Sequence, residues 1–326
     1  MEALLALADG LLVVSLDDGR TTELLLDHRP ECVAPTDGAV LVGTLDDGLW
    51  RATTPAPGSF DRVAAASLPD RDTALAAAPS DPTAVYLGTE PSTVHRSTDG
   101  GRTWTACATL TDLPSADEWS FPPRPDTHHV RTLAVHPADP DRLSVGIEAG
   151  ALVRSDDGGE SWTERPPGSR RDNHALATHP DAPDRVYAAA GDGYAESRGA
   201  GATWDHPTDG LQHGYVWGLA VDPADPDRRY VSAARGAYAA HRPDSANAHV
   251  YRRDGEEPWQ RFDGEALGDG LPVGEGVCRA VLAAPAPDEL LAATNRGLFH
   301  SRDAGASFER VVEGDGWDAP RALASL

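Results

Sequence analysis

An eight-residue pattern that recurs four times is the feature that most restricts the fold of this 326-residue chain. Each copy begins with serine, has glycine at its fifth position and ends with tryptophan or phenylalanine. An aspartate at the third position can accept hydrogen bonds from the following amides, glycine can adopt a positive φ, and the aromatic ring can pack between neighbouring units. The spacing predicts a tandem β-repeat. We call these segments the repeat turns: STDGGRTW at 97–104, SDDGGESW at 155–162, SRGAGATW at 197–204 and SRDAGASF at 301–308.

A strand-loop-strand pattern precedes the repeat turns, most clearly as VRTLAVHPADPDRLSVGIEAG at 130–150 and VWGLAVDPADPDRRYVSAARG at 216–236. Apolar runs on either side of a proline-rich loop indicate two antiparallel strands. Each unit then has four strands, and seven units predict an all-β fold, a seven-bladed β-propeller of four-stranded antiparallel blades. The predicted blades span residues 2–26 with 320–326, 31–66, 72–109, 129–166, 172–206, 215–262 and 277–312.

The two ends of the chain supply one blade between them. Residues 2–26 contain three strand-like runs, and the tail PRALASL at 320–326 matches the first strand of the other units. We therefore expect the C-terminal strand to pair with the N-terminal strands and close the ring. Residues 1–326 would then form a single domain, because a closed ring of repeats need not be divided.

The repeat turns resemble the Asp-box, or BNR, repeat of sialidase-like β-propellers. The whole chain is similar to uncharacterised BNR-repeat proteins described as glycosyl hydrolase-like, and the repeat also occurs in sortilin-type receptors and photosystem assembly factors. Sialidases combine three arginines with a tyrosine nucleophile, a set that Arg131, Arg279, Arg321 and Tyr215 could imitate, although their spacing differs and the N-terminal arginine motif of those enzymes is missing. The resemblance implies the fold rather than an activity.

The charge of the chain limits its partners. It has 52 acidic residues against 28 basic ones, all of them arginine, and a net charge of -24. Such an exterior repels nucleic acid and anionic membranes, so we expect neither as a partner, and it resembles the surface of halophilic proteins. Three cysteines without C-x-x-C spacing favour reduced thiols. With no secretory signal pattern and no apolar run of roughly 20 residues, we expect a cytoplasmic monomer.

Aligning the blades on the proline that ends the first strand brings unusual side chains to one level, namely Thr73, Arg131, His174, Trp217, Arg279 and Arg321. Two residues earlier on the same strand face come His129, Asp172 and Tyr215, while Glu148 and Arg235 end second strands. Insertions at 110–128 and 236–249 should reach the same mouth of the channel, the first with Trp119. We predict a polar pocket there whose ligand-binding residues are His129, Arg131, His174, Trp217, Arg279, Arg321, Arg235 and Trp119.

Three functions remain open for this pocket. The first is binding of an anionic small molecule, glycan or peptide, since arginine suits carboxylate and phosphate and aromatic rings stack on sugars. The second is glycoside hydrolase or lyase chemistry, with catalytic candidates Glu148, Asp172 and Tyr215. The third is a divalent metal ion bound by His129, His174 and His213, near Glu148 or Asp172. Otherwise we expect no cofactor.

Overall fold

The computed structural model of the chain is a ring of seven antiparallel sheets, and it describes residues 1–63, 68–262 and 270–326. The first two sheets contain β1 Glu2–Ala6, β2 Leu11–Ser15 and β3 Thr21–Leu24, then β4 Pro30–Thr36, β5 Ala39–Thr44, β6 Leu49–Ala52 and β7 Asp61–Arg62. The next two contain β8 Asp72–Ala78, β9 Asp81–Thr89, β10 Val94–Ser97 and β11 Thr105–Ala106, then β12 Val130–His136, β13 Asp139–Ile147 and β14 Leu152–Ser155. The last three contain β15 Asn173–His179, β16 Ala182–Ala190 and β17 Gly193–Ser197, then β18 Tyr215–Asp222, β19 Asp225–Ala234, β20 His249–Asp254 and β21 Gln260–Arg261, then β22 Val281–Ala283, β23 Leu290–Thr294, β24 Gly297–Ser301 and β25 Glu309–Glu313.

The last strand, β26 Ala322–Ser325, joins the first sheet, where it pairs with β1 from Ala3↔Ser325 to Ala6↔Ala322. The predicted all-β, seven-bladed propeller and its closure by the C-terminal tail are therefore confirmed. Among the described residues, two single-turn 3₁₀ helices between β11 and β12 are the helical elements, Leu110–Asp112 and Ala116–Glu118.

Two blades have a reduced outer strand. In the fourth blade the fourth strand is represented by a single bridge, Arg154↔Thr163, and in the fifth by Glu196↔Asp205. Outer strands are exposed in other blades too, β7, β11 and β21 throughout their length, so they contribute little apolar burial. The predicted end of the second blade, at 64–66, lies outside the described residues.

The hydrophobic core lies between successive sheets. Leu4 and Val13 of the first blade pack with Val40 and Val42 of the second, and the strand β5 is buried along its whole length. Such strands contact a neighbour on both faces, which explains their continuous apolar runs. Apolar side chains fill the space between the blades, and polar side chains at the inner ends of the first strands surround the channel.

The repeat turns are stabilised as their sequence predicts. In the first, Asp99 accepts hydrogen bonds from the amide of Thr103 at 2.9 Å and from its hydroxyl at 2.6 Å, while Ser97 Oγ accepts from the amide of Gly101 at 2.9 Å. Gly100 and Gly101 both have positive φ, 71° and 81°. Trp104 is buried against Leu41 of the preceding blade. The turn thus anchors one blade on another.

Within the described residues, no helix is long and apolar enough to cross a membrane.

Candidate functional site

A funnel of about 720 Å³ opens at the mouth of the channel where the first strands begin. A smaller recess of about 250 Å³ approaches from the opposite side, and both recesses are lined by Glu31, Thr73, Arg131, Trp217 and Arg321. This level of side chains therefore divides the channel into two. The funnel is the larger concave surface and the one rich in ionisable groups, which makes it the candidate site.

The dividing level is built from β-bulges. In five blades the pairing of the first two strands shifts register around one residue, and that residue is Glu31, Thr73, Arg131, His174 or Trp217. A bulge leaves its extra residue outside the ladder and changes the direction of the side chain. Arg279 and Arg321 occupy the equivalent positions just before β22 and β26. We call these seven residues the channel ring.

Glu31 is the ring member that sequence analysis missed. In the other blades with an alignable proline, that proline follows the ring residue by six positions, as Pro137 follows Arg131. In the second blade Pro35 follows Glu31 by four, since a tight turn at Asp37 and Gly38 replaces the proline-rich loop. Alignment on proline alone could not find Glu31. Its acidic side chain directly before the apolar run CVA at 32–34 was the available signal.

Glu31 neutralises two of the arginines. Arg131 donates to its Oε1 at 2.6 Å, and Arg321 donates to its Oε2 at 3.1 Å. Because these residues come from the second, fourth and first blades, their ion pairs bridge blades that are not all adjacent. All three side chains are at least four-fifths buried. Such a pair is well separated from water and holds both guanidinium groups in place.

Arg279 differs from the other ring arginines. Its Nε donates to His241 Nδ1 at 3.1 Å, one Nη donates to the Pro320 carbonyl at 2.6 Å, and the guanidinium lies 4.0 Å from the centre of the Trp217 ring. Within the described residues, no carboxylate lies within ion-pair distance of it. Burial, and then the charge of Arg131, lowers the pKa of Arg279 to about 9. Arg279 is therefore a buried cation without a paired anion.

His241 stays neutral beside Arg279. Burial and the Arg279 charge lower its pKa to about 3. Because Nδ1 accepts from Arg279, the proton of the neutral ring resides on Nε2, which faces the Tyr215 hydroxyl at 3.4 Å. Burial and the neighbouring Glu148 and Asp172 raise the pKa of Tyr215, so its phenol stays protonated near neutral pH.

Three candidate residues converge on the other side of the funnel. Oxygen atoms of Glu148 and Asp172 and a ring nitrogen of His174 all lie within 4.8 Å of one another. Although burial opposes it, hydrogen bonding from His129 and the charge of Arg131 lower the pKa of Glu148 to about 2. Burial raises the pKa of Asp172 and lowers that of His174.

Both insertions contribute to the rim of the funnel. Phe121 and Arg124 come from the first insertion and Tyr238 from the second, next to His241. Arg124 pairs with Glu90 through two hydrogen bonds and lies 4.7 Å from the centre of the Phe121 ring. Tyr238 is 78% exposed, and the Arg242 guanidinium lies 4.0 Å from the centre of its ring, so the rim offers one accessible aromatic face.

Several predicted site residues are not at the funnel surface. Trp119 is buried in the core, where its ring nitrogen donates to Ser115 Oγ at 3.1 Å, and Arg235 is exposed outside the funnel lining. The ring of Trp217 is covered by the Arg131 and Arg279 guanidinium groups at 4.8 and 4.0 Å, so it supports the arginines instead of offering a stacking face. Trp119 and Arg235 therefore lie outside the predicted pocket, whereas Trp217 lies at the funnel as predicted.

The predicted trio of histidine ligands does not converge. His213 stacks on His249 at 4.9 Å and is bonded to the Tyr251 hydroxyl, outside the funnel lining. His129 lines the funnel but bonds to Glu148 Oε2 at 3.1 Å. His174 is fully buried beneath Tyr215 and Trp217, with ring centres 4.8 and 4.3 Å away. Each histidine was predicted from its blade position, which does not determine where the ring points.

Fold and site together define a seven-bladed β-propeller with a polar funnel at one mouth of a divided channel. Among solved structures, the GH74 enzyme from Niastella koreensis superposes with a TM-score of 0.72 at 17% sequence identity, covering 96% of this chain and 52% of that one. The GH74 xyloglucanase from Xanthomonas campestris gives 0.70 at 18% identity, with the same coverages. This chain therefore spans about half the length of these GH74 proteins.

A third similar structure is YCF48 bound to D1 peptide, with a TM-score of 0.60 at 14% identity, covering 94% of this chain and 84% of that one. Identities this low show a shared fold alone. The sequence matches no protein-family profile, and it matches no curated protein.

Proposed function

We propose that the chain belongs to the Asp-box repeat propellers and that its funnel binds a carboxylate-bearing ligand, either an acidic sugar or the C-terminus of a peptide. The hydrogen bonds in the repeat turns support the first part. Neighbours of similar fold include a xyloglucanase and a peptide-bound protein, so both glycans and peptides are ligand classes found on this scaffold.

Arg279 is the observation that carries this proposal. Its guanidinium is buried, and no carboxylate of the described chain neutralises it, whereas Arg131 and Arg321 share Glu31. A buried charge is costly unless it is paired, so a ligand carboxylate at this point would gain a charge-assisted hydrogen bond and relieve the unpaired cation. Neutral His241 and the protonated Tyr215 hydroxyl lie beside it as further polar partners.

The surrounding protein favours the same ligand chemistry. The chain carries a net charge of -24, so a free anion is repelled by most of the surface and attracted only where arginine is concentrated. Tyr238 at the rim can contact a sugar ring or an apolar peptide side chain. The ligand would then have its anionic end at Arg279 and its remainder at the rim.

Calorimetric titration with matched ligand pairs tests the proposal. The pairs are galacturonate with galactose, and a tripeptide with its C-terminal amide. We expect binding by at least one of the charged members and weaker binding by its neutral counterpart. Arg279→Gln should weaken that binding by about 10- to 100-fold, the effect of losing a hydrogen bond between charged groups.

Arg235→Gln is the matched control, because Arg235 is exposed outside the funnel. It should leave affinity unchanged, and thermal unfolding should show that the Arg279 variant remains folded. Equal affinity for charged and neutral members, unchanged affinity in a folded Arg279→Gln protein, or no binding at millimolar concentration would each contradict the proposal.

Retaining glycoside hydrolysis is a second candidate, favoured by one distance. Oxygens of Glu148 and Asp172 lie within 4.8 Å of each other, closer to the separation of about 5–5.5 Å in retaining enzymes than to the 6.5–9.5 Å in inverting ones. Release of nitrophenol from a panel of aryl glycosides would support it if Asp172→Asn and Glu148→Gln both abolish turnover. No turnover by the unmodified protein would remove this candidate.

A further inference from the structure

The cluster of Glu148, Asp172 and His174 has a composition and a geometry of its own. Glu148 directly follows β13 of the fourth blade, while Asp172 precedes β15 of the fifth and His174 is its second residue. Their ligand atoms lie within 4.8 Å of one another. Glu148 and Asp172 line the funnel, so the cluster is accessible from solvent on one side and closed by His174 on the other.

The hydrogen bonding of His174 is independent evidence for a bound ligand at this cluster. Its Nδ1 lies 2.8 Å from the carbonyl oxygen of Val216, and a carbonyl can only accept, so Nδ1 carries the proton. Nε2 is then a free lone pair. It is buried and has no hydrogen-bond partner among the described residues, and the nearest Asp172 oxygen is 3.7 Å away, too far for a hydrogen bond. A buried, unpartnered acceptor therefore faces two carboxylates.

All three side chains are held by neighbouring groups. The register shift at His174 and its packing against the rings of Tyr215 and Trp217 determine its orientation. The amide of Ala149 donates to Asp172 Oδ1 at 2.8 Å, and His129 bonds to Glu148 Oε2 at 3.1 Å. Hydrogen bonds of this kind around first ligands, including a backbone carbonyl that fixes the imidazole tautomer, are typical of metal centres.

We propose that Glu148, Asp172 and His174 bind one divalent transition-metal ion, Zn²⁺ or Mn²⁺, with an open coordination position that faces the funnel. One imidazole with two carboxylates suits these ions, and three protein ligands with one exchangeable position are typical of zinc sites that contact substrate. At metal–ligand distances of about 2.0–2.2 Å, ligand atoms of a tetrahedral site lie about 3.3–3.6 Å apart. Atoms now up to 4.8 Å apart must therefore approach each other by up to about 1.5 Å, which rotation of the two carboxylate side chains that line the funnel can supply. This inference does not rest on ligand binding at Arg279.

The charge around the cluster is compatible with a cation. Arg131 is the nearest positive group, with Nε 3.7 Å from Glu148 Oε2, but its guanidinium is paired with Glu31 at 2.6 Å. His129 approaches the same Oε2. Oε1 of Glu148 therefore remains for the metal, and the two ligand carboxylates balance the charge of a divalent ion.

The test uses the full chain, freed of metal with a chelator and titrated calorimetrically with ZnCl₂ and MnCl₂. We expect one equivalent of at least one ion to bind, with the bound metal confirmed by elemental analysis after desalting. His174→Gln and Asp172→Asn should each weaken metal binding by more than about 100-fold. Substitution of residues that only hydrogen-bond to metal ligands costs roughly 10- to 100-fold, and these two residues are proposed as ligands themselves. Replacement by Co²⁺ should give the visible absorption of a four- or five-coordinate ion.

His213→Gln is the matched control, since it removes a histidine that lies outside the funnel lining. It should retain full affinity. No stoichiometric binding by the unmodified protein, or equal losses in His174→Gln and His213→Gln, would overturn the proposal. If His174→Gln does not fold, Asp172→Asn decides instead, because full metal retention there overturns the proposal and loss supports it. Metal binding retained in Arg279→Gln would separate this site from the proposed carboxylate site.

Discussion

Three side chains of the channel ring hydrogen-bond to the next blade. Thr73 Oγ1 donates to the Val130 carbonyl at 2.6 Å, and His174 Nδ1 donates to the Val216 carbonyl at 2.8 Å. Arg279 repeats this contact at Pro320. In each case the accepting carbonyl belongs to the residue just before the next ring member. Removal of such a donor leaves a buried carbonyl unpaired, so ring substitutions affect stability as well as binding.

Asp72, next to the ring, gives a prediction about the pH dependence of stability. Its side chain is fully buried, and neither oxygen has a hydrogen-bond partner among the described residues. Burial, and then the charge of Asp70, raises its pKa to about 8, while Arg62 opposes this change. The folded protein therefore retains a proton that the unfolded chain loses at about pH 4, and this group makes stability fall as pH rises from about 4 to 8.

Asp72→Asn should remove that dependence. We expect it to raise the free energy of unfolding by about 1–3 kcal/mol at pH 8 and to have little effect at about pH 3, where the carboxyl is mostly neutral in both states. Denaturant unfolding at both pH values measures the difference. Asp70→Asn, at an exposed neighbour whose charge contributes less to the shift than burial does, should change the pH dependence less than Asp72→Asn does. An equal gain at both pH values would contradict the charge-based explanation.

At the scale of the element, the second and third repeat turns can be compared directly, because they differ at the position of the hydrogen-bonding aspartate. Asp157 of the second turn accepts from the Ser161 amide at 2.9 Å and from Ser155 Oγ at 2.7 Å. The third turn has Gly199 at the equivalent position and lacks these bonds. Gly199 does not have a positive φ, and an added Cβ would meet only Thr203 Oγ1 at 3.9 Å among the described atoms. The third turn can therefore accept an aspartate.

We expect opposite effects from two substitutions in these turns. Asp157→Ala should lower the free energy of unfolding by about 0.5–1.5 kcal/mol through lost hydrogen bonds. Gly199→Asp should raise it by a similar amount, because it adds the missing acceptor and restricts the unfolded chain. Denaturant titration of both variants tests this. A loss of stability in Gly199→Asp would contradict this expectation, because it would show that an aspartate alone does not restore the hydrogen bonds of the other turns.

At the scale of the whole molecule, closure depends on one short strand pairing. The amide of Leu326 donates to the Glu2 carbonyl at 2.8 Å, and antiparallel pairs alternate, so Ala324 opposite Leu4 is also a hydrogen-bonded pair. Ser325 opposite Ala3 is then a non-hydrogen-bonded pair whose amide points away from β1. Substitution at these two neighbouring positions therefore separates the loss of a hydrogen bond to β1 from other effects of a substitution.

Proline at these two positions should have unequal effects. Ala324→Pro removes an amide that pairs with β1 and should lower the free energy of unfolding by about 1–3 kcal/mol, while Ser325→Pro should cost less. Thermal unfolding compares the two. Deletion of residues 320–326 should be more severe than either, with partial recovery on adding the same seven-residue peptide. Equal stability of the deleted protein would contradict closure by this strand.

The sequence by itself determined the strands, the repeat turns, the number of blades and six members of the channel ring. These features follow from local patterns, since strand alternation and turn chemistry act over a few residues and repeat from blade to blade. Glu31 was not predicted as a member of the channel ring, because its blade has a shorter loop and its proline is displaced.

Only the tertiary structure decided which ring arginine remains unpaired and which candidates face the funnel. Arg131 and Arg321 meet at Glu31 across the channel, whereas Trp119, Arg235 and His213 lie away from the lining. Insertions outside the repeat carry no periodic constraint, so their side-chain directions cannot be inferred from the pattern. Pairing between long side chains depends on distances across the channel, and those distances exist only once the ring has closed.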